Sequence, residues 1–199
     1  PNMLSREGAR GQEFNGFMPK DWNNKANHTT ILPFTRLLSS PMDYTPGIFN
    51  LKDYRYNSPD DRTINTSHHI PSTISKELAL YIVIYAPVQM AADLPKHYEG
   101  HPAFQFILDV PTDWENTITL NGEIGKYITV ARKDIDSEDW YLGSITNEDE
   151  RQIIVDLSFL NDGTDYKATI YRDPVDGGWE SKPEQVEIVE QFFNSGDKY

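Results

Sequence analysis

The sequence predicts an α/β part followed by an all-β part, with the change near residue 113. Three observations carry this. Residues 1–112 read as strand, loop, helix, strand, loop, helix, strand, helix, and such alternation implies parallel α/β architecture. From about residue 117 the apolar period falls to two, and turn signals separate short runs. The charge steps at the same place: residues 1–112 hold 10 Lys and Arg against 11 Asp and Glu, whereas residues 113–199 hold 8 against 20. The expected domains are therefore 1–112 and 113–199, the second an antiparallel β unit in the form of a small sandwich.

Taken in order, residues 1–4 read as the end of a strand and residues 14–27 as a long loop. His28-Thr29-Thr30 can cap a short helix through Ile31, Leu32, Phe34, Leu37 and Leu38, with Pro33 in its first turn. Ser39 to Tyr44 reads as a strand leading into the turn Pro46-Gly47, and residues 48–71 as a second long loop. Loops of this length in a compact protein are usually functional or disordered. Pro71 opens the strongest helix, with Ile74, Leu78, Tyr81, Ile82 and Tyr85 at helical spacing before Pro87. Val88 to Asp93 reads as a buried strand ending in an acid, and Pro102 to Val110 as a short helix. In the β part, Thr117–Leu120 and Tyr127–Ala131 flank Asn121-Gly122, a hairpin signal. Trp140–Ile145 is a further strand; Ile153, Val155, Leu157 and Phe159 alternate toward one face. Asp162-Gly163 reads as a turn, and Tyr166–Ile170 and Val186–Val189 complete the set.

Composition excludes several classes. The 199 residues contain no cysteine, so neither a disulfide scaffold nor a thiolate metal site is available. A net charge of −13, concentrated in the second part, repels polyanions and argues against nucleic acid as a partner. No apolar run reaches the 18 or so residues needed to cross a bilayer. The chain lacks a basic start followed by an apolar core, so no signal peptide is expected within it. A first residue that is Pro rather than Met points to a piece whose targeting signal lies upstream.

The candidate site is the loop Ser5-Arg6-Glu7-Gly8-Ala9-Arg10-Gly11-Gln12-Glu13-Phe14. Its two acids are six positions apart, roughly 20 Å if extended, so they share a site only if the chain bends. Gly8 and Gly11 permit such a bend. Paired acids on a bent loop suit general acid chemistry or a hard-cation site; a solvated loop of mixed charge is the plainer reading. Arg10 is expected to clamp a loop carboxylate, and His28 to be a loop or cap residue. Asp43 and Asp93 follow expected strands and could face a site or close a turn. His68-His69 lack a third ligand at suitable spacing and read as surface. Trp140 and Trp179 are read as sandwich core, with sugar stacking as the alternative, and the acidic runs as solvated turns.

Glu7-Gly8-Ala9-Arg10-Gly11-Gln12-Glu13, His28-Thr29-Thr30-Ile31-Leu32-Pro33-Phe34-Thr35-Arg36 and Pro41-Met42-Asp43-Tyr44-Thr45-Pro46-Gly47 resemble glycoside hydrolase family 97. Leu78-Ala79-Leu80-Tyr81 and Gln89-Met90-Ala91-Ala92-Asp93-Leu94-Pro95 continue the match, so the resemblance covers most of residues 1–110. It implies the C-terminal portion of a (β/α)8 barrel over residues 1–112 and a C-terminal β domain after it. It also implies hydrolysis of α-glucosides or α-galactosides, calcium assistance, an oligosaccharide substrate, and a periplasmic or secreted location. The family's proton donor maps onto Glu13 and one calcium ligand onto Glu7, while the base or nucleophile and the other calcium ligands lie upstream. An α-glucosidase is the expected activity, with an α-galactosidase or a non-catalytic carbohydrate-binding or structural β module as alternatives. Because glycoside hydrolysis needs two carboxyl groups, residues 1–199 alone are expected to be inactive.

Overall fold

The computed structural model describes residues 8–12, 14, 25–52 and 70–199. Among these, helices α1 (His28–Ile31), α2 (Ile74–Val83), α3 (Pro95–Tyr98) and α4 (Phe104–Asp109) precede every strand. The strands are β1 (Trp114–Glu123), β2 (Tyr127–Asp134), β3 (Trp140–Thr146), β4 (Tyr166–Arg172) and β5 (Glu187–Phe193).

The helix expected from His28 onward breaks into α1 and two 3-10 turns, Leu32–Phe34 and Arg36–Leu38. Pro33 has no N–H to continue an α ladder, and Thr35 leaves helical space at φ −130°, ψ −77°. Helix α2 forms as the apolar spacing predicts. Thr73 caps it, its hydroxyl accepting from the Lys76 N–H at 3.1 Å. Seven of its ten residues are buried, so the helix has partners nearly all round. Leu80 and Val83 pack with Met42, Tyr44, Ile128, Val130 and Ile145. Ile74 and Leu78 pack with Ile48, Phe49, Leu51 and Tyr98. Tyr81 and Ile82 meet Val110, Trp114 and Tyr141.

The barrel portion expected over residues 1–112 is not formed: no described residue before Trp114 lies in a strand. The stretches read as strands, 39–44 and 88–93, have their backbone groups satisfied in other ways. Met42 N–H bonds the Tyr85 carbonyl and Ala92 N–H the Pro46 carbonyl, as isolated links. The N–H groups of Gly47 and Ile48 go to the Glu77 carboxylate, and those of Phe49 and Asn50 to Asp93. Side-chain carboxylates take the place of a neighbouring strand. The strand expected at residues 1–4 lies outside the described residues.

The β part forms two antiparallel sheets, β1-β2-β3 and β4-β5. The first hairpin does not turn at Asn121-Gly122. Both residues stay in β1, paired with Thr129 and Ile128, and Gly122 lies so close to Phe34 that a Cβ would sit 2.8 Å from its ring. The chain reverses instead through Ile124-Gly125, where Gly125 has φ +76° and Lys126 N–H closes on the Glu123 carbonyl. The outer strand β1 carries two irregularities, between Trp114 and Asn116 and between Thr119 and Asn121. The alternation at residues 153–159 produces the expected burial, with Val155 and Leu157 inside, yet only an isolated bridge, Asp156 to Lys198, forms there. Val155, Leu157, Leu160 and Phe193 make a core that also takes in Leu120, Trp140, Tyr166 and Ile170, joining the two sheets.

The step in charge and period near residue 113 does not coincide with a gap in packing. Ile128, Val130 and Arg132 share one face of β2, against α2. Arg132 is buried, and its Nε donates 2.6 Å to the Ile82 carbonyl while its terminal nitrogen donates 2.8 Å to Thr117. On β3, Gly143 lets the helix come close: a Cβ there would lie 2.8 Å from both the Ala79 carbonyl and the Ile82 Cβ. Gly143→Ala is therefore expected to destabilise the chain by about 1–3 kcal/mol through overpacking. Urea denaturation checks it, and an unchanged midpoint would show that helix and sheet can separate freely.

Candidate functional site

The described part of the acid loop, residues 8–12, is tethered at three points. Gly8 takes φ +61° and lies against Arg36, where a Cβ would stand 2.6 Å from Nε. The Arg10 carbonyl accepts from the His28 ring Nε2 at 2.9 Å, which assigns the proton to that nitrogen. Burial pulls the His28 pKa down, consistent with a neutral ring. The Arg10 guanidinium stacks 4.3 Å over the Phe14 ring. Gln12, 4% exposed, donates 2.6 Å from its amide to Glu77 Oε1.

Glu77 is the residue that sequence reading overlooked. It is fully buried, and four donors converge on its carboxylate. Gln12 and the Ser72 hydroxyl (2.5 Å) bond one oxygen; the Gly47 and Ile48 N–H groups, at 3.0 and 3.3 Å, bond the other. Burial pushes its pKa up, against the opposing pull of Ser72, Ile48, Gly47 and neighbouring Lys76. A signal was present: Glu77 falls between Ile74, Leu78 and Tyr81 on the apolar side of its helix. An acid there needs partners from elsewhere in the chain.

Lys76 reaches two carbonyls, Ala26 at 2.9 Å and Thr146 at 2.8 Å. Burial brings its pKa down to about 8. A small cleft beside it is lined by Gln12, Lys25, His28, Thr29, Tyr44 and Lys76.

Glu7 and Glu13 lie outside the described residues, as do His68 and His69. Among the described residues no three His, Asp or Glu gather to hold a metal ion, so these residues do not by themselves fit calcium. Asp43 is exposed between buried Met42 and Tyr44. Trp140, half-buried, packs against Phe159, ring centres 4.8 Å apart, at the margin of the core joining the sheets. Trp179 is half-buried in a turn.

Asp93 closes a structural junction. Its oxygens accept from the N–H groups of Phe49 (2.9 Å), Asn50 (2.7 Å) and Leu94 (2.8 Å), and His97 Nδ1 lies 2.5 Å away. Burial would raise its pKa, but the bonds from Asn50, His97, Leu94 and Phe49 outweigh it and hold the carboxyl below its ordinary 3.8. The unfolded chain binds the proton more readily, so Asp93 contributes stability above that pH, lost as pH falls through the folded value. Asp93→Asn is expected to cost about 1–3 kcal/mol at neutral pH, with the deficit shrinking in strong acid. Denaturation of both forms across pH checks it; a constant deficit would contradict the assignment.

Residues 113–199 match the model of a family described as glycosyl-hydrolase 97 C-terminal, oligomerisation. The chain is 35% identical over 188 residues to a retaining alpha-galactosidase of Bacteroides thetaiotaomicron, a match that spans 88% of this chain and 25% of that protein. It is 30% identical over 144 residues to a probable retaining alpha-galactosidase of Streptomyces bingchenggensis, spanning 72% of this chain and 19% of that one. Among solved structures, a glycoside hydrolase family 97 enzyme from a Pseudoalteromonas strain, in a variant bound to panose, superposes with a TM-score of 0.88 at 42% identity. That match covers all of this chain and 30% of the enzyme, and the same enzyme bound to acarbose matches at 43% identity. The chain thus spans about a fifth to a quarter of the length of the curated relatives it matches.

Proposed function

This chain belongs to glycoside hydrolase family 97 and corresponds to its C-terminal portion, and from that premise we propose an activity for the whole protein. It is a calcium-assisted α-glycosidase that releases terminal α-linked glucose from oligosaccharides. Glu13 is the proton donor and Glu7 a calcium ligand. The observation that carries this is the loop Glu7-Gly8-Ala9-Arg10-Gly11-Gln12-Glu13, which has the family's two acids in the family's order. A glycosidic oxygen leaves poorly unless it is protonated, so Glu13 has to hold a proton near neutral pH and deliver it to that atom. Glu7 has to be ionised to offer oxygen to a hard cation. A cation close to Glu13 would favour its charged form, so the two acids need separate surroundings, which the Gly-containing bend can supply.

Glucose is favoured by the Pseudoalteromonas enzyme, the relative with the higher identity, whose structures hold panose and acarbose. The alpha-galactosidase names of the two curated relatives favour the second reading, an α-galactosidase. By the description of its family model, the part from residue 113 onward serves assembly of the protein with copies of itself.

In the full-length enzyme Glu13→Gln is expected to cut hydrolysis of an ordinary α-linked disaccharide by about 10²–10⁴-fold. An activated aryl glycoside, whose leaving group needs no proton, should lose far less. Wild-type turnover of the disaccharide would remove Glu13 from the role, and parallel assays on α-glucosides and α-galactosides decide the sugar. Glu7→Gln is expected to weaken calcium binding in a calorimetric titration of the full-length protein. Unchanged binding would end the ligand assignment.

A further inference from the structure

We propose that Glu77 is a positioning residue for the reaction, holding the loop that carries Glu13 through the side chain of Gln12. This rests on the proton-donor reading of Glu13 given above. Gln12 is the residue immediately before Glu13, and consecutive Cα atoms are only about 3.8 Å apart.

The Gln12–Glu77 bond has the character of an anchor. Both side chains are buried, Gln12 at 4% exposure and Glu77 at 0%. Taking an amide and a carboxylate out of water is costly, and a loop that needed only burial would place apolar groups there. The anchor point is itself immobilised. The other three donors to Glu77 come from Gly47, Ile48 and Ser72, two of them backbone groups and the third just before α2. On the far side of Gly11, the bond between His28 and the Arg10 carbonyl holds the loop a second time. The two tethers bracket Gly11, so the conformational freedom that glycine brings is confined between fixed points. A general acid must come within hydrogen-bond reach of the oxygen it protonates, and a displacement of about 1 Å can cost on the order of 10²-fold in rate.

The test is Gln12→Ala in the full-length enzyme. Three donors to Glu77 remain, so the fold is expected to hold, as a thermal melt verifies. If this variant aggregates, Gln12→Asn, whose amide stops one methylene short, carries the test. On an unactivated α-linked disaccharide, kcat should fall about 10- to 100-fold with KM little changed. On an activated aryl glycoside the loss should stay within about threefold, because proton delivery is not needed. Equal losses on both substrates would mean a merely structural role, and wild-type kcat on the disaccharide would mean that the bond does not position the acid; either overturns the proposal. Glu13→Gln measured alongside separates the two readings. If it shows the leaving-group dependence and Gln12→Ala does not, only the role of Glu77 falls. If Glu13→Gln shows none, both fall.

Discussion

The structure depends on one buried carboxylate. Removing an ionisable group from water costs several kcal/mol even after relaxation, and Glu77 has no exposed surface over which to recover that. What offsets the cost is four donors drawn from three separate segments: the acid loop, the Gly47–Ile48 backbone, and Ser72 ahead of α2. Each bond is worth little alone, whereas leaving any one of these groups buried without a partner is expensive. The three segments are thereby made interdependent. The same reasoning explains why residues 41–51 need no neighbouring strand: Glu77 and Asp93 accept from four consecutive N–H groups, Gly47 to Asn50.

Helix α2 extends this junction into the β part. Lys76, next to Glu77, ties Ala26 to the end of β3. At the other end of the helix the last carbonyls lack intrahelical partners and carry partial negative charge. Arg132 from β2 satisfies one of them, with its guanidinium also lying 5.3 Å from the Tyr85 ring centre and 5.8 Å from that of Trp114. Between these two polar locks the contact is apolar, Leu80 and Val83 against Ile128, Val130 and Ile145. The helix belongs to the first part of the chain by sequence and to the second by packing.

This explains which features could be read without coordinates. Periodicity reports burial, and it locates α2, α4, β3 and β4; β2, with five consecutive buried residues, is legible as an apolar run beside a turn signal. It also found the inward face of residues 153–159. It could not tell that this stretch pairs only at Asp156, or that 39–44 and 88–93 stay outside a ladder, because pairing is a property of the neighbour and not of the segment. Asn121-Gly122 looked like a turn by residue type alone; contact with Phe34 gives Gly122 a different purpose. The charge step near residue 113 marks a change in surface chemistry, and surface chemistry says nothing about which buried faces meet. Of the candidate site, residues 8–12, between the two acids, are among the described residues and the acids themselves are outside them. The place of Glu77 on the apolar face of α2 signals a buried acid, but its four partners, distant in sequence, cannot be read from that spacing.

The two irregularities in β1 bear on how this sheet avoids growing. A regular outer strand offers a row of free N–H and C=O groups on which another extended chain can add, and repeated addition leads to fibrils. At Trp114–Asn116 and Thr119–Asn121 the spacing of those groups is broken, and the strand is bent away from the flat geometry that a templated strand requires. In a β part whose family is described by oligomerisation, such a barrier matters more than usual. High local concentration of identical chains is the condition under which open-ended strand addition competes with a closed assembly. The bulged edge leaves recognition to side-chain surfaces, where a fixed number of copies can be specified.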